Sequence, residues 1–200
     1  MRSLEEILKE SSSRHRHLCP RQVLGARMAL YASELLDLEL PRDDKRLLVI
    51  AETDGCTVDG LIAATHCRVG SRTLRILDFG KVAATFADSQ LDISIRVCPR
   101  HNIRTIAQNH APNAKNKWEA MLMGYQSMPA DVLFSASHVH LDTPLDQILS
   151  KPGKKSMCEM CGEEIINGRE VFKNNVVQCR ACAGDSYYQL STISNALHMD

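Results

Sequence analysis

Residues 15–38, HRHLCPRQVLGARMALYASELLDL, join a group of metal-capable side chains to the start of a helix. Four apolar residues recur in this stretch at spacings of four, three and four, which predicts an amphipathic helix over 20–38. They are Leu24, Met28, Tyr31 and Leu35. Pro20 suits the first helical position, where no amide donor is needed. The two histidines and the cysteine therefore stand directly ahead of a helix.

These three side chains are His15, His17 and Cys19, and they alternate along the chain. In extended backbone, positions i, i+2 and i+4 face the same side, and a residue before proline favours extended backbone. We therefore expect all three to point at one place. The start of a helix also favours thiolate over thiol at Cys19. The alternative interpretation is a polar, flexible leader.

The stretch 54–67, DGCTVDGLIAATHC, predicts a second helix with a similar start. Asp54 can cap it, and Cys56 would lie in its first turn with a similarly favoured thiolate. Asp59 follows three residues later on roughly the same face. The rest of that face is small, which leaves room for a ligand or for a closely packed neighbour. Its members are Gly60, Ala63 and Cys67.

The remaining elements mix helices with neighbouring strands. Strand-like runs lie at 46–53, 73–79, 82–88, 92–97 and 131–141, and further helices are predicted over 99–108 and 115–126. Because strands and helices do not alternate regularly, the sequence predicts an α+β fold with a mixed helix/sheet core. The Pro/Gly/Ser/Lys-rich linker 149–156, LSKPGKKS, separates a core domain, 1–150, from a C-terminal module, 151–200.

The C-terminal module contains the pattern C-x₂-C-x₁₇-C-x₂-C, formed by Cys158, Cys161, Cys179 and Cys182. This spacing is typical of a four-cysteine zinc site, in which four thiolates complete the tetrahedron. The pattern predicts a closed, structural zinc site in a small treble-clef or zinc-ribbon-like module. Asn167-Gly168, between the two pairs, predicts a hairpin turn. Free or redox-active cysteines are the alternative.

Charge and hydropathy exclude some functions. The chain has 24 Lys+Arg and 24 Asp+Glu, so its net charge is zero, which argues against broad binding to nucleic acid or anionic membrane. No apolar run in the sequence reaches the roughly 18–20 residues of a membrane span, and the N-terminal residues lack the apolar run of a signal peptide. We therefore expect a cytoplasmic protein whose eight cysteines serve metal binding or catalysis rather than disulfides.

With these residues in place, the chain resembles the FmdE family, named for a component of formylmethanofuran dehydrogenase. That family has H-G-H-x-C-P-G ahead of a helix and C-x-x-D-[AG] at a helix start, then a later cysteine, a glycine and an aromatic-Gly-Lys turn. The matching stretches here are HRHLCPRQVLG, CTVDG and HCRVGSRTLRILDFGK. The resemblance covers about residues 13–185, and it implies an α+β core with a metal-capable pocket, a zinc ribbon and a homodimer.

The resemblance implies that His17, Cys19 and Cys56 are the core metal ligands, with His15 nearby. Zinc or another transition metal is the expected core cofactor, and zinc is expected in the ribbon. Asp59, Cys67 and Lys81 match further motif positions that line or support the pocket. The candidate catalytic residues are His15, Asp59 and Lys81.

Two glycines of the family pattern are replaced by Arg16 and Arg21 in this chain. With Cys67, these arginines form a secondary set of pocket residues. Two guanidinium groups near the pocket favour an anionic small-molecule ligand. They equally fit a pocket adapted away from the ligand usual in the family.

Four functions fit these observations. The first is a zinc-binding protein with an open core site, where water or substrate takes the fourth metal position, as in a metal-dependent enzyme of unknown substrate. The second is an accessory protein that delivers a metal, molybdenum or tungsten species to a partner oxidoreductase, with the ribbon as docking surface. The third is a thiol redox protein using Cys19 and Cys56. The fourth, a regulator that binds DNA through the ribbon, is disfavoured by the neutral charge.

Overall fold

The structure is a computed structural model that describes residues 2–15, 17–149 and 153–189 of the chain. Its contacts divide the chain into two compact units, Met1–Leu149 and Ser150–Asp200. The first unit has a five-stranded sheet covered by helices, and the second has short hairpins around four cysteines. The predicted α+β class is confirmed. None of the helices in the described part of the chain is long and apolar enough to cross a membrane.

The core unit contains seven helices and five strands within the described residues. The helices are α1 (Leu4–Ser13), α2 (Pro20–Leu36), α3 (Thr57–Thr65), α4 (Ile103–Asn109), α5 (Lys117–Ser127), α6 (Ala130–Leu133) and α7 (Leu145–Ile148). The strands are β1 (Leu47–Ala51), β2 (Leu74–Ile76), β3 (Ala84–Asp88), β4 (Ile93–Pro99) and β5 (Phe134–His138).

Two predicted boundaries in the core unit are wrong. The helix expected over 99–108 begins only at Ile103, because β4 continues through Pro99, which pairs with Phe134 of β5. The strand expected over 131–141 is preceded by the single turn of α6, since Pro129 starts a helical turn there. Sequence periodicity is a weak guide over such short segments.

The sheet has the strand order β2-β1-β3-β4-β5, in which β1 and β2 are parallel and the other neighbours antiparallel. Val49, Phe86 and Ile95 lie in register across three strands and are all buried in the main hydrophobic core beneath the helices. On the opposite face, Leu48 packs with Leu145 of α7 in a smaller cluster. The alternation of side chains along each strand therefore serves two apolar layers.

Helices α2 and α3 pack unusually closely through two glycines. A Cβ atom added at Gly25 would lie 2.1 Å from the carbonyl oxygen of Thr57, and one at Gly60 would lie 2.1 Å from that of Gln22. No side chain fits in either place, so the helix backbones are in contact. The small face predicted for the second helix thus accommodates a neighbouring helix, and this contact sets the first turns of α2 and α3 side by side.

Arg27 of α2 fixes α5 against the same helix. Its guanidinium donates hydrogen bonds to the backbone carbonyl oxygens of Tyr125, Gln126 and Met128, at 2.9, 2.8 and 2.7 Å. A positive charge at the end of a helix also interacts favourably with its unpaired carbonyl groups. Arg27 therefore holds α5 in place as one side of the site described below.

The second unit consists of two antiparallel hairpins. They are formed by β6 (Lys155–Met157) with β7 (Glu164–Ile166), and β8 (Val171–Lys173) with β9 (Val176–Gln178). Both residues of the predicted hairpin turn, Asn167-Gly168, have positive φ. The turn connects β7 to β8, but these strands do not pair with each other, so it is not a hairpin loop. The two-residue hairpin loop is Asn174-Asn175, again with positive φ. The predicted linker, 149–156, overlaps β6, and its residues 150–152 lie outside the described residues.

Candidate functional site

Cys19 and Cys56 lie together at the starts of the two closely packed helices. Cys19 directly precedes α2 in extended backbone (φ −121°, ψ 157°), as expected for the residue before a proline. Its N–H donates to Oε1 of Gln22 at 2.8 Å, and the buried Gln22 amide donates to the carbonyl oxygen of Ser11 at 3.0 Å. Cys56 directly precedes α3. The backbone at Cys19 is therefore tied to both α1 and α2.

The Cys56 thiol does not have the lowered pKa expected at a helix start. Burial raises the pKa of Cys56, and the neighbouring Cys19 side chain raises it further, with the charge of Asp59 adding to the effect. The prediction of a favoured thiolate at Cys56 is therefore wrong, because burial and neighbouring groups outweigh the helix start. This thiol stays protonated at neutral pH unless a cation displaces the proton.

The two histidines ahead of α2 have different neighbours. Nε2 of His15 lies 2.6 Å from Oδ2 of Asp59 on α3, which joins two of the three candidate catalytic residues. The His17 ring lies beside Trp118 of α5, with ring centroids 6.4 Å apart. Arg16, between them, lies outside the described residues. The alternating side chains thus contact α3 and α5 separately instead of meeting at one point.

A cavity of about 770 Å³ opens beside the cysteine pair, and both Cys19 and Cys56 line it. This volume lies within the range of small-molecule sites. Much of the remaining wall is apolar and comes from α2, α4, α5 and a residue two positions before β3. These apolar residues are Leu24, Val82, Ile103, Trp118, Met121 and Tyr125. The cavity is therefore built between helices that the glycine contact and Arg27 hold in place.

The same cavity is lined by Arg21, Arg100, His101 and Arg104. Of these, only Arg21 was selected by sequence reasoning. The other three come from residues 100–104, which follow β4 and include the first turn of α4. Three cationic or titratable side chains within five residues were a visible signal, but the sequence does not show that this segment faces α2. None of the cavity-lining residues is acidic.

Two further predicted pocket residues lie elsewhere. Cys67 is buried in the core beyond the far end of α3 from Cys56, and its Sγ contacts the carbonyl oxygen of Leu47 at 3.5 Å. Lys81 is exposed in the turn after β2, where its backbone N–H donates to the carbonyl oxygen of Glu52 at 3.0 Å. Neither residue is among those that line the cavity.

The second unit brings Cys158, Cys161, Cys179 and Cys182 together, with all four sulfur atoms within 4.8 Å of one another. Zn–S bonds of about 2.3 Å in a tetrahedron place sulfur atoms about 3.8 Å apart, so the cluster fits this ion. Sγ of Cys161 and Sγ of Cys179 are 4.0 Å apart. Among the described residues, no other group of three or more possible ligands lies close enough together to hold one metal ion.

Backbone N–H groups donate hydrogen bonds to sulfur atoms of this cluster and thereby favour a thiolate, the form that binds a cation. The N–H of Cys179 donates to Sγ of Cys158 at 3.2 Å. This bond and the N–H of Cys161 lower the pKa of Cys158 to about 6. The neighbouring thiols, Cys179 first, raise the pKa of Cys182 to about 12. Four crowded thiols cannot all ionise alone, whereas a bound divalent cation stabilises the four thiolates together.

Comparisons with known proteins agree with this architecture. A crystal structure of a tungsten formylmethanofuran dehydrogenase FmdE-like protein from Syntrophus aciditrophicus matches with a TM-score of 0.60 and 20% identity, over 94% of this chain and 96% of that one. At this identity the likeness shows the fold alone. A probable S-adenosyl-L-methionine-binding protein from Archaeoglobus fulgidus is 28% identical over 207 residues, which cover 92% of this chain. The chain spans about half the length of that relative, 54%.

A family model described as FmdE, molybdenum formylmethanofuran dehydrogenase operon, matches residues 14–135. The match includes both histidines ahead of α2, the cysteine pair and the cavity-lining segments up to α5. It ends before the four-cysteine cluster. Since the matched residues make up more than half of the chain, the protein belongs to the FmdE family.

Proposed function

We propose that this protein binds metal at two sites of different kinds. The four cysteines of the second unit form a closed structural site for zinc. Cys19 and Cys56, with His17 as third ligand, form an open transition-metal site on the wall of the cavity. The observation that supports the core site is the meeting of two thiols from separate helix starts beside a cavity of about 770 Å³, a volume within the range of small-molecule sites.

The donor set favours a soft or borderline metal. Two thiols and an imidazole suit zinc and related transition metals better than magnesium or calcium. The His17 ring has no hydrogen bond to any described residue, and it lies beside Trp118 of the cavity wall. To act as the third ligand, the ring would turn toward the two thiols when metal binds, because the three groups do not lie together in the described structure. The fourth position would face the cavity, where water or a ligand can enter.

The His15–Asp59 pair suits a proton-transfer role next to this site. Asp59 lies close enough to raise the pKa of Cys56, and its carboxylate holds the His15 ring at 2.6 Å. A carboxylate that orients an imidazole is a common arrangement for a general base. A metal-dependent reaction on a ligand in the cavity is the enzymatic form of the proposal. Lys81 is not needed for it, since it does not line the cavity.

A non-enzymatic accessory role is the second candidate. The family description refers to a molybdenum formylmethanofuran dehydrogenase operon, which favours a protein that serves a partner oxidoreductase. Cys19 and Cys56 are half-buried instead of enclosed, so a metal species held there could leave. Transfer of metal from this protein to a metal-depleted partner enzyme would favour the accessory role, and turnover of a substrate by the isolated protein would favour the enzymatic one.

The test is metal content per chain, measured by elemental mass spectrometry on purified variants. We expect two metal ions in the original protein and one in the Cys19→Ser/Cys56→Ser variant. Cys98→Ser is the matched control, because Cys98 is also half-buried and also precedes a proline but does not line the cavity. It should retain both ions. Equal metal content in all three proteins would disprove the core site.

A further inference from the structure

We infer that the cavity binds an amphiphilic oxyanion: a small molecule with a carboxylate or phosphate group attached to a planar, apolar body. This inference deepens the proposed function, because it names the ligand class of the same cavity. It rests on charge, side-chain partners and the apolar wall, and it does not require that the core metal be present.

The first step is the local charge. Arg21, Arg100 and Arg104 line the cavity, and His101 lines it with them, whereas no acidic residue does. The chain as a whole has equal numbers of acidic and basic residues. The excess of positive charge is therefore a property of the cavity. All four side chains are exposed, but they do not belong to one helix face, since the three arginines come from α2, from the residue after β4 and from α4.

The second step concerns the partners of these arginines. Nε of Arg100 donates to the carbonyl oxygens of Asp131 and Phe134, both at 2.9 Å, which fixes the position of its guanidinium. The side chains of Arg21 and Arg104 have no hydrogen bond or ion pair with any described residue. One guanidinium is thus held in place while two have donors free for a ligand, and guanidinium groups match carboxylate and phosphate geometry.

Two carboxylates on the helices that border the cavity have other partners. Asp59 contacts His15, and the carboxylate of Glu119 on α5 accepts a hydrogen bond from the backbone N–H of Lys115 at 2.6 Å. Neither neutralises the arginines that line the cavity. An external oxyanion therefore does not compete with these two carboxylates for the arginine side chains.

The third step is the apolar part of the cavity wall. Trp118 lines the cavity and remains 45% exposed, although it is the sole tryptophan of the chain. Met121 and Leu24 line it too. Tyr125 lines the cavity together with Arg104, and burial raises the pKa of its phenol. The flat indole and phenol rings, together with the thioether, offer apolar contacts for a planar group beside an arginine.

The test uses two fluorescent probes that differ in one charged group. 8-Anilinonaphthalene-1-sulfonate carries a sulfonate on a planar aromatic body, and N-phenyl-1-naphthylamine has a similar body without the sulfonate. We expect the Arg21→Gln/Arg104→Gln variant to bind the sulfonate probe at least about tenfold more weakly than the original protein, with little change for the neutral probe. Arg68→Gln is the control, since Arg68 is exposed but does not line the cavity.

Displacement then identifies the anionic group. Release of the sulfonate probe by inorganic pyrophosphate supports a phosphate ligand, and release by citrate supports a carboxylate ligand. Unchanged affinity for the sulfonate probe in the double arginine variant would overturn the inference. S-adenosyl-L-methionine has a carboxylate and a planar adenine besides its cationic sulfonium, so its release of the probe would also overturn the inference if that release did not depend on the arginines.

The same titration on the Cys19→Ser/Cys56→Ser variant separates this inference from the proposed function. If metal content shows no core site but probe binding still depends on the arginines, the metal proposal fails and the oxyanion inference stands. If the core metal is present but probe binding does not depend on the arginines, the oxyanion inference fails and the metal proposal stands. Circular dichroism of each variant confirms that the helices are intact.

Discussion

The two cysteine clusters of this protein are assembled in different ways. In the second unit, each C-x₂-C pair comes from one tight segment, and backbone N–H groups already point at the sulfur atoms. In the core unit, Cys19 and Cys56 meet only because two helices pack through glycines. We expect the first arrangement to need a metal to hold a small unit together, whereas helix packing holds the second together and leaves a cavity beside it. Local spacing therefore indicates a closed site, whereas the proposed open site depends on tertiary packing.

The largest expected effect follows from removing one ligand of the four-cysteine cluster. Cys158 is almost fully buried, and its unit has few other buried apolar residues among those described. We expect Cys158→Ser to lose the bound metal and to unfold this unit, since structural zinc contributes on the order of 10 kcal/mol to such modules. The helices of the core unit should persist. Limited proteolysis with mass spectrometry should show cleavage confined to residues after about 150.

Chelation of metal from the original protein is the companion measurement. It should open the second unit to proteolysis and leave the helical circular dichroism signal nearly unchanged. Loss of that signal on chelation would mean that the core unit also depends on metal for its fold. It would contradict the proposed difference between the two cysteine clusters.

The second prediction breaks the contact that assembles the core pair. A Cβ atom at Gly60 would lie 2.1 Å from the carbonyl oxygen of Gln22, so Gly60→Ala must force α2 and α3 apart. We expect a loss of about 3 kcal/mol in the free energy of unfolding, together with loss of the core metal. Urea denaturation and metal analysis are the measurements. Gly70→Ala is the control, because nothing lies within 4 Å of a Cβ atom at Gly70.

This contact also marks the limit of prediction from sequence. The C-x₂-C pairs predicted the second site, because their spacing is local. The small face around Gly60 was visible too, but the sequence does not distinguish room for a ligand from room for a helix. Arg100 and Arg104 were missed, since only the fold brings α4 opposite α2. The pKa of Cys56 was predicted in the wrong direction, because a helix start is visible in the sequence and burial is not.

The third prediction separates the two units by pH. Asp88 at the end of β3 is fully buried and accepts hydrogen bonds from Arg46, which lowers the pKa of its carboxyl group below the ordinary value of 3.8. A lowered pKa stabilises the fold above the ordinary value, and this stabilisation is lost as the pH falls through the lower folded value. Thiolate ligands, by contrast, are protonated and release metal in milder acid.

We therefore expect acid to open the second unit first and the core unit only below about pH 4. Hydrogen exchange followed by mass spectrometry between pH 3 and pH 7 would resolve the order. The Asp88→Asn variant should be less stable at neutral pH, and its stability should depend less on pH between 2 and 4. Simultaneous opening of both units in the original protein would contradict this prediction.

The smallest expected effect comes from substituting Asp59. This substitution distinguishes a simple surface contact with His15 from a role in orienting His15 beside a metal site. His15 and Asp59 are both partly exposed, with 34% and 25% of their side chains accessible, so their ion pair contributes less than about 1 kcal/mol to folding. If the pair is merely a surface contact, Asp59→Asn changes neither stability nor metal content. If it orients His15 beside a metal site, the variant folds normally but binds the core metal more weakly, by about tenfold or more, as substitutions next to ligands commonly do. Asp44→Asn is the matched control, since Asp44 contacts Arg42 away from the cavity. Metal affinity measured by competition with a colorimetric chelator therefore tests the open site with almost no contribution from stability, which the larger substitutions cannot do.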